Sequence, residues 1–204
     1  MPKDKTASHS RIITAAKKEF LEKGFEKASI RSIAVEAGIT SAGLYRHFTD
    51  KEAMFEALVD PVLKECEKRF EEVKIREYLL LEQGNLDIMW NESPALTVIL
   101  DLAYKYFDEF KLLLCCSEGT KYSNYIHELV SMQQKETLAY MEVARKKGFP
   151  VKDIIVEELH LLLSAYSTAV FEIVVHDFSR KEAEHYIKTL QDFFKPGWRA
   201  VLGL

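Results

Sequence analysis

Glycine and proline are scarce in this chain, eight and five among 204 residues. So few turn-formers exclude a turn-rich all-β design and favour long helices. A basic surplus is missing too: 28 Lys+Arg stand against 32 Asp+Glu, a net charge of −4. That excludes a protein whose whole surface coats nucleic acid or an anionic membrane. Cysteine is limited to Cys66, Cys115 and Cys116, which have no metal-ligand spacing. Adjacent cysteines seldom pair with each other, so reduced core thiols in a cytosolic protein are expected. A thiol sensor at Cys115 or Cys116 is the sharper alternative. The opening MPKDKTASHS holds no apolar segment, so no secretory signal is expected. The most apolar run, Leu159 to Val175, is broken by His160, Ser164, Tyr166, Ser167, Thr168 and Glu172. It reads as a buried helix, and the chain as soluble, cytoplasmic and without a membrane partner.

Signatures of catalysis are equally absent. His127-Glu128, His160 near Glu157, and His176-Asp177 form no HExxH pattern or other recognised ligand set. No G-x-S-x-G, phosphate-loop or dinucleotide motif occurs, so no catalytic residue, cofactor or metal is expected. A helical enzyme using His160 and Glu157 for proton transfer is the alternative from another class.

What the chain does have is helical period almost throughout. Ile13, Ala16 and Phe20 share a stripe, flanked by Ile12 and Leu21, while Lys17, Lys18, Glu19 and Glu22 are expected in water. Gly24 ends this first helix. Ser29 is the N-cap of a second, with Ile30, Ile33 and Ala34 inward, and Gly38 supplies the positive φ of a sharp bend. A third helix begins at Thr40 or Ser41 and closes by about Phe48. Thr49-Asp50-Lys51-Glu52 has the T-x-x-E capping-box pattern and restarts the chain as a long fourth helix, which Pro61 is placed to kink. Ser93-Pro94 marks another helix start. Leu96–Cys116, Lys121–Lys147, Asp153–Phe178 and Ser179–Phe194 all read as helical, and the fold class is all-α. Charge divides the chain as well. Residues 1–58 carry roughly +2, leaving roughly −6 for the rest.

Two short helices joined by a tight glycine turn form a helix-turn-helix pattern, whose second helix enters a DNA groove. Leu44 and Phe48 fall on one side of the third helix, and Ala42, Tyr45 and Arg46 on the other. A helix entering a major groove about 12 Å wide must be slim where it meets base edges, and Ala42 and Gly43 make it so. Arg46 has the donors for guanine or phosphate, and Tyr45 and His47 reach phosphate oxygens.

At this point a resemblance becomes specific. Residues Arg11 to Val59 resemble the DNA-binding domain of the tetracycline-repressor (TetR) family of bacterial transcriptional regulators. It rests on Ala16, Phe20, Gly24 and Phe25 in the first helix and on Ile33-Ala34-x-x-Ala37-Gly38-Ile39 at the turn. Leu44-Tyr45-x-x-Phe48-x-x-Lys51-Glu52 completes it. The resemblance implies a homodimer with an N-terminal operator-binding domain (residues 1–58) and a C-terminal effector-binding and dimerisation domain (residues 59–204). It implies DNA contacts from Ser29, Arg31, Thr40, Ser41, Gly43, Tyr45, Arg46, His47 and Lys51. Many family members have lysine where Ser41 stands and threonine where Ser29 stands, so the third helix relies more on Arg46 and His47.

Beyond residue 63 the resemblance implies architecture rather than a ligand. Leu159, Leu163, Tyr166, Val170, Ile173, Ile187, Leu190 and Phe194, at three- and four-residue spacing, are expected to form the dimer seam, with the intrasubunit core as the other use of such a stripe. Aromatics crowd the middle of the chain. Met89, Trp90, Tyr104, Phe107, Cys115, Tyr125, Met132 and Tyr166 are candidates to line a pocket for an aromatic or lipophilic small-molecule effector. Core packing is the plainer use of the same side chains. The function implied is a repressor of double-stranded operator DNA released by that effector. The alternative is a regulator controlled by a protein partner, or by none.

Overall fold

The computed structural model describes residues 5–92 and 94–204, without the side chains of residues 5, 87, 89, 92 and 94. All regular structure among the described residues is helical. The helices are α1 (Lys5–Lys27), α2 (Ile30–Glu36), α3 (Ser41–Leu44), α4 (Lys51–Glu82), α5 (Leu86–Glu92), α6 (Pro94–Lys105), α7 (Phe107–Cys115), α8 (Tyr125–Lys146), α9 (Val156–Val175) and α10 (Arg180–Leu202). They sort into two compact units. One comprises the chain up to Cys66 with Tyr106–Ser123; the other comprises Glu67–Lys105 with Asn124–Leu204. The units are therefore not consecutive stretches of sequence, and α7 packs with α1 in the first of them.

In that first unit the buried stripe of α1 is Ile12, Ala15, Ala16, Glu19 and Phe20. Ile13 is only half-buried, and Glu19, expected in water, is inside. The physical reason is polar. Glu19 accepts the Ser29 N–H at 3.0 Å and the Lys23 ammonium at 2.7 Å, so its charge is satisfied where it is buried. Phe20, Phe25 and Phe55 pack with centroids 5.4–5.7 Å apart, and Leu44, Leu112 and Leu113 are also buried. Each such side chain contributes about 1.5–3 kcal/mol through burial. At Gly24 the backbone leaves helical geometry at φ 72°, as its position predicts.

Three other expectations are revised. The capping box at Thr49 is absent. Asp50 Oδ1 accepts the Ala53 N–H at 2.8 Å, so the cap sits one residue later, while Glu52 accepts the Lys121 N–H at 3.1 Å. The fourth helix continues past Pro61, as expected, with Val62, Cys66, Val73 and Leu81 on its buried side. The run expected as one helix from Leu96 is two, broken at Tyr106, and α5 lies where no element was anticipated. Ser93 falls outside the described residues.

In the second unit, α8 packs on α9, and α10 packs on both α9 and α6. Val130, Leu159 and Leu163 form a buried cluster with Ile126, Leu138, Ile154 and Trp198 around it. The last helix runs to Leu202, beyond its expected end near Phe194, and opens with a true capping box between Ser179 and Glu182. Arg180 bonds Asp101 at 2.5 Å, and the Tyr104 hydroxyl donates to the Phe178 carbonyl at 2.6 Å, both linking α6 to the start of α10.

The cap register of α4 is open to a direct test. Asp50→Ala is expected to lower stability by about 1 kcal/mol, the worth of an N-cap, and Thr49→Ala by much less. Urea unfolding followed by circular dichroism measures both; equal losses would place the cap elsewhere.

Candidate nucleic-acid interface

The surface formed by α2 and α3 is built from backbone hydrogen bonds that close locally. Ser29 is extended (φ −110°, ψ 121°), and its hydroxyl accepts the Ser32 N–H at 3.4 Å, capping α2. At the far end Gly38 has φ 67°, its N–H reaches the Val35 carbonyl, and the Ile39 N–H reaches Ala34 at 2.9 Å. This is the paired 6→1 and 5→2 bonding of a Schellman turn, which needs a residue without a Cβ penalty at positive φ. Arg11 then donates from Nε to the Ala37 carbonyl at 3.2 Å, tying α1 to the end of α2.

Thr40 caps α3 in the same manner as Ser29 caps α2, its Oγ1 accepting the Gly43 N–H at 3.0 Å. A hydroxyl that accepts a backbone N–H still has its own O–H to donate outward. The helix is shorter than expected, Ser41–Leu44, because it tightens at once: Arg46 N–H bonds to Gly43 and His47 N–H to Leu44. Gly43 has a second reason to be small. A Cβ there would stand 3.2 Å from Thr40 Oγ1, crowding the cap.

Leu44 and Phe48 are buried, so the opposite side of this turn is what solvent meets. Tyr45 is 51% exposed; Arg31, Thr40, Ala42 and Arg46 are exposed, and Ser29, Ser41, Gly43 and His47 half-buried. Neither Arg31 nor Arg46 has an ion pair among the described residues, which leaves both guanidinium groups available to an anion. Lys51 is different. Its ammonium donates to the carbonyls of Phe25, Glu26 and Ala28 at 2.7, 3.1 and 3.2 Å and lies 4.5 Å from the Phe25 ring centre. All three donors are spent inside the unit.

Two residues here were not singled out from sequence. His9 stacks on Phe48 (4.9 Å) and lies 6.0 Å from the His47 ring; Arg11 holds the turn. Their partners are 26 or more residues away, so no local pattern signals them. Glu19 is the third. Burial opposes its ionisation, but the bonds from Lys23 and the Ser29 N–H outweigh that and hold the carboxyl below its usual range. A carboxyl lowered in the folded state adds stability above its ordinary range and loses it as pH falls through the lowered value. The cleft between α1 and α2, ≈ 430 Å³, is lined by Lys18, Glu22, Arg31 and Glu36 among others, a charged lining that does not suit an apolar effector.

The residues expected to line a pocket fall in two different units. Phe107 and Cys115 belong to the first unit; Trp90, Tyr104, Tyr125, Met132 and Tyr166 belong to the second, and the Met89 side chain lies outside the described residues. Tyr125 meets Phe171, and Tyr166 meets Phe194 and Trp198, with burial pushing the Tyr166 hydroxyl up to about 12. Cys115 and Met132 are exposed, and burial pushes the Cys116 thiol up, away from reactive thiolate. The stripe chosen for a seam is intrasubunit core. Leu159, Leu163, Val170, Ile173, Ile187 and Leu190 are all buried within one chain, while Tyr166 and Phe194 are half-buried against each other. Between its two ends α9 leaves their neighbours Leu161 (68%) and Leu162 (38%) exposed. Hydrophobic period alone does not tell which neighbour covers a helix that is apolar on two sides. His160 lies 5.5 Å from the His127 ring and Glu157 is exposed; among the described residues no three metal-binding side chains gather.

With this geometry in hand, similarity to known proteins is informative. Residues 12–58 match the model of the family described as bacterial regulatory proteins, tetR family. Over 172 residues the chain is 25% identical to the nucleoid occlusion factor SlmA of Shewanella loihica, covering 81% of this chain and 82% of that protein. Over 105 residues it is 30% identical to the uncharacterized HTH-type transcriptional regulator YdgC of Bacillus subtilis, 51% of this chain and 49% of YdgC. In fold it is similar to NalD, the secondary repressor of the MexAB-OprM multidrug efflux pump in Pseudomonas aeruginosa. That match has a TM-score of 0.57 and 19% identity, and it covers 92% of this chain and 96% of NalD. These are regulators rather than enzymes. The helix-turn-helix match, the helical fold and the capped, exposed α2–α3 surface agree: the chain belongs to the TetR family and is a DNA-binding transcriptional regulator.

Proposed function

We propose that the protein is a homodimeric repressor that binds an inverted-repeat operator and is released by a small molecule held in its C-terminal part. On this reading residues 1–58 bind the operator, and residues 59–204 dimerise and bind the effector. The observation that carries the reading is the α2–α3 surface. Two helix starts present hydroxyls at Ser29 and Thr40, and Arg31 and Arg46, without ion pairs among the described residues, are exposed as Tyr45 is. Phosphates are met by hydroxyls, backbone N–H groups and His47, and Arg46 is the side chain placed to read a base edge. Gly43 and Ser41 let the backbone come close. Lys51 acts on DNA through the corner it holds, by fixing where Ser29 stands.

An inverted repeat calls for a two-fold protein. The surface that supports one is the outer side of α9 and α10. Leu161 and Leu162 are exposed on α9, and Phe193 (75%), Gly197 and Ala200 follow one another on an exposed stripe of α10. A Cβ at Gly197 would meet nothing within 4 Å in this chain. A mid-helix glycine costs about 1 kcal/mol relative to alanine, and close approach by a second copy is a reason to keep it. The apolar character that gives α9 the length and hydropathy of a membrane span has the same explanation: core on one side, seam on the other. The likeness in fold to NalD, a repressor, supports repression rather than activation. Control by a protein partner is the second reading, favoured by the α4 groove of ≈ 280 Å³ where Ile75 and Leu79 are each 54% exposed.

Arg46→Ala is expected to weaken binding to the specific operator by about 1–3 kcal/mol, and binding to random duplex far less. Gel shifts of both duplexes measure this, starting from DNA upstream of its own gene; equal losses would make Arg46 a phosphate contact. Leu161→Asp and Phe193→Asp are expected to give helical monomers at micromolar concentration with reduced operator affinity. Sedimentation and circular dichroism test this, and a dimer that survives both substitutions would move the seam elsewhere.

A further inference from the structure

The buried side of α4 carries one residue of the wrong kind. Val73, Glu77 and Leu81 follow at four-residue spacing, so they share a face; Val73 and Leu81 are buried, and Glu77 stands between them. Its carboxyl has no hydrogen bond or ion pair among the described residues. Lys74, three residues before it on the same helix, is held at the surface by Glu136 at 2.9 Å and Glu71 at 3.4 Å. Burial alone pushes the Glu77 carboxyl up to about 7. A carboxylate left in such a place costs stability, and valine or leucine would continue the stripe at no such cost.

An aromatic pair lies next to it along the helix. Tyr78, the next residue, meets Tyr140 of α8 edge-to-face with ring centres 5.3 Å apart. Burial, with the charge of Glu77 next in effect, makes Tyr140 a weaker acid than a free tyrosine. Tyr140 therefore stays neutral, and the two rings offer electron-rich faces near an unpaired carboxylate. That combination recognises a cation with an organic body, whose charge meets the carboxylate while its carbon surface meets the rings. Among the described residues no three metal-binding side chains gather here, which sets this chemistry apart from that of a metal ion.

We infer that Glu77, with Tyr78 and Tyr140, forms a binding site for an organic cation in the C-terminal unit. The inference rests on the effector-release reading only for its consequence; binding itself stands apart from it. The probes are benzyltrimethylammonium and tetraphenylphosphonium, with uncharged triphenylphosphine oxide as the comparison, titrated calorimetrically into the full-length protein without DNA. At least one cation is expected to bind at one site per chain, and Glu77→Gln to weaken it tenfold or more while leaving operator affinity unchanged. The wild-type protein provides a check that needs no substitution. Because the cation favours the ionised carboxyl, its affinity should fall as pH drops below about 7, toward tenfold per unit, and level off above. Tyr140, which burial holds above the ordinary tyrosine range, stays neutral here, and the Glu136 that faces α4 is paired with Lys74. Tyr140→Leu should weaken the cation severalfold and Tyr140→Phe should not. No binding by either cation, equal binding by Glu77→Gln, or an affinity flat across pH 6–8 would overturn the site. Binding that leaves the operator complex intact would uphold the site and remove the effector-release reading; release by the neutral compound alone would do the reverse.

Discussion

The chain leaves α1 through a corner between Gly24 and Ser29, and the whole α2–α3 surface depends on two charged side chains that hold it. Lys51, from the first turn of α4, gives its three N–H bonds to carbonyls at 25, 26 and 28, at the end of a helix where intrahelical donors run out. Glu19, from inside α1, takes the N–H of Ser29. One cation satisfies the acceptors of the corner and one anion satisfies its last donor, so Ser29 is set where it begins α2. From there the Schellman turn at Gly38 and the Arg11 bond to Ala37 pass the constraint to Thr40 and α3. A short helix of four residues has little stability of its own; its position is inherited from this chain of backbone bonds.

The second unit solves a different problem. Its central helix, α9, is apolar on more than one side. One side is covered within the chain by α8 and α10, where Leu159, Val170 and Ile173 are almost completely buried. The other side leaves Leu161 and Leu162 uncovered, and α10 carries an exposed glycine, Gly197, where an added Cβ would meet nothing within 4 Å. The polar residues of this unit follow the usual pattern at the surface, where Lys74 and Glu136 or Arg180 and Asp101 pair. Glu77 breaks that pattern, because it sits on an apolar stripe without a partner.

Much of the first unit is legible because its chemistry is local. Ser29, Gly38 and Thr40 act on backbone groups two to five residues away, so their roles can be read from spacing. Asp50 shows the limit of that logic: Thr49 and Asp50 both fit an N-cap, and the T-x-x-E spacing favoured the wrong one because Glu52 is drawn instead to the Lys121 N–H. Glu19 and Lys51 lie further beyond reach. Each looks like an ordinary helix-surface charge until the corner brings Ser29 or Phe25 against it.

The sequence by itself determined the helical class, the helix-turn-helix with its caps and turn, and the family to which the chain belongs. Those follow from periodicity and from interactions within one or two turns of helix. Only the tertiary structure decided which apolar stripe of α9 and α10 is core, which candidate pocket residues share a unit, and that Lys51 is committed to the corner. These depend on which surfaces meet, and residues identical in local pattern differ in burial once a distant helix covers one of them and leaves the other bare.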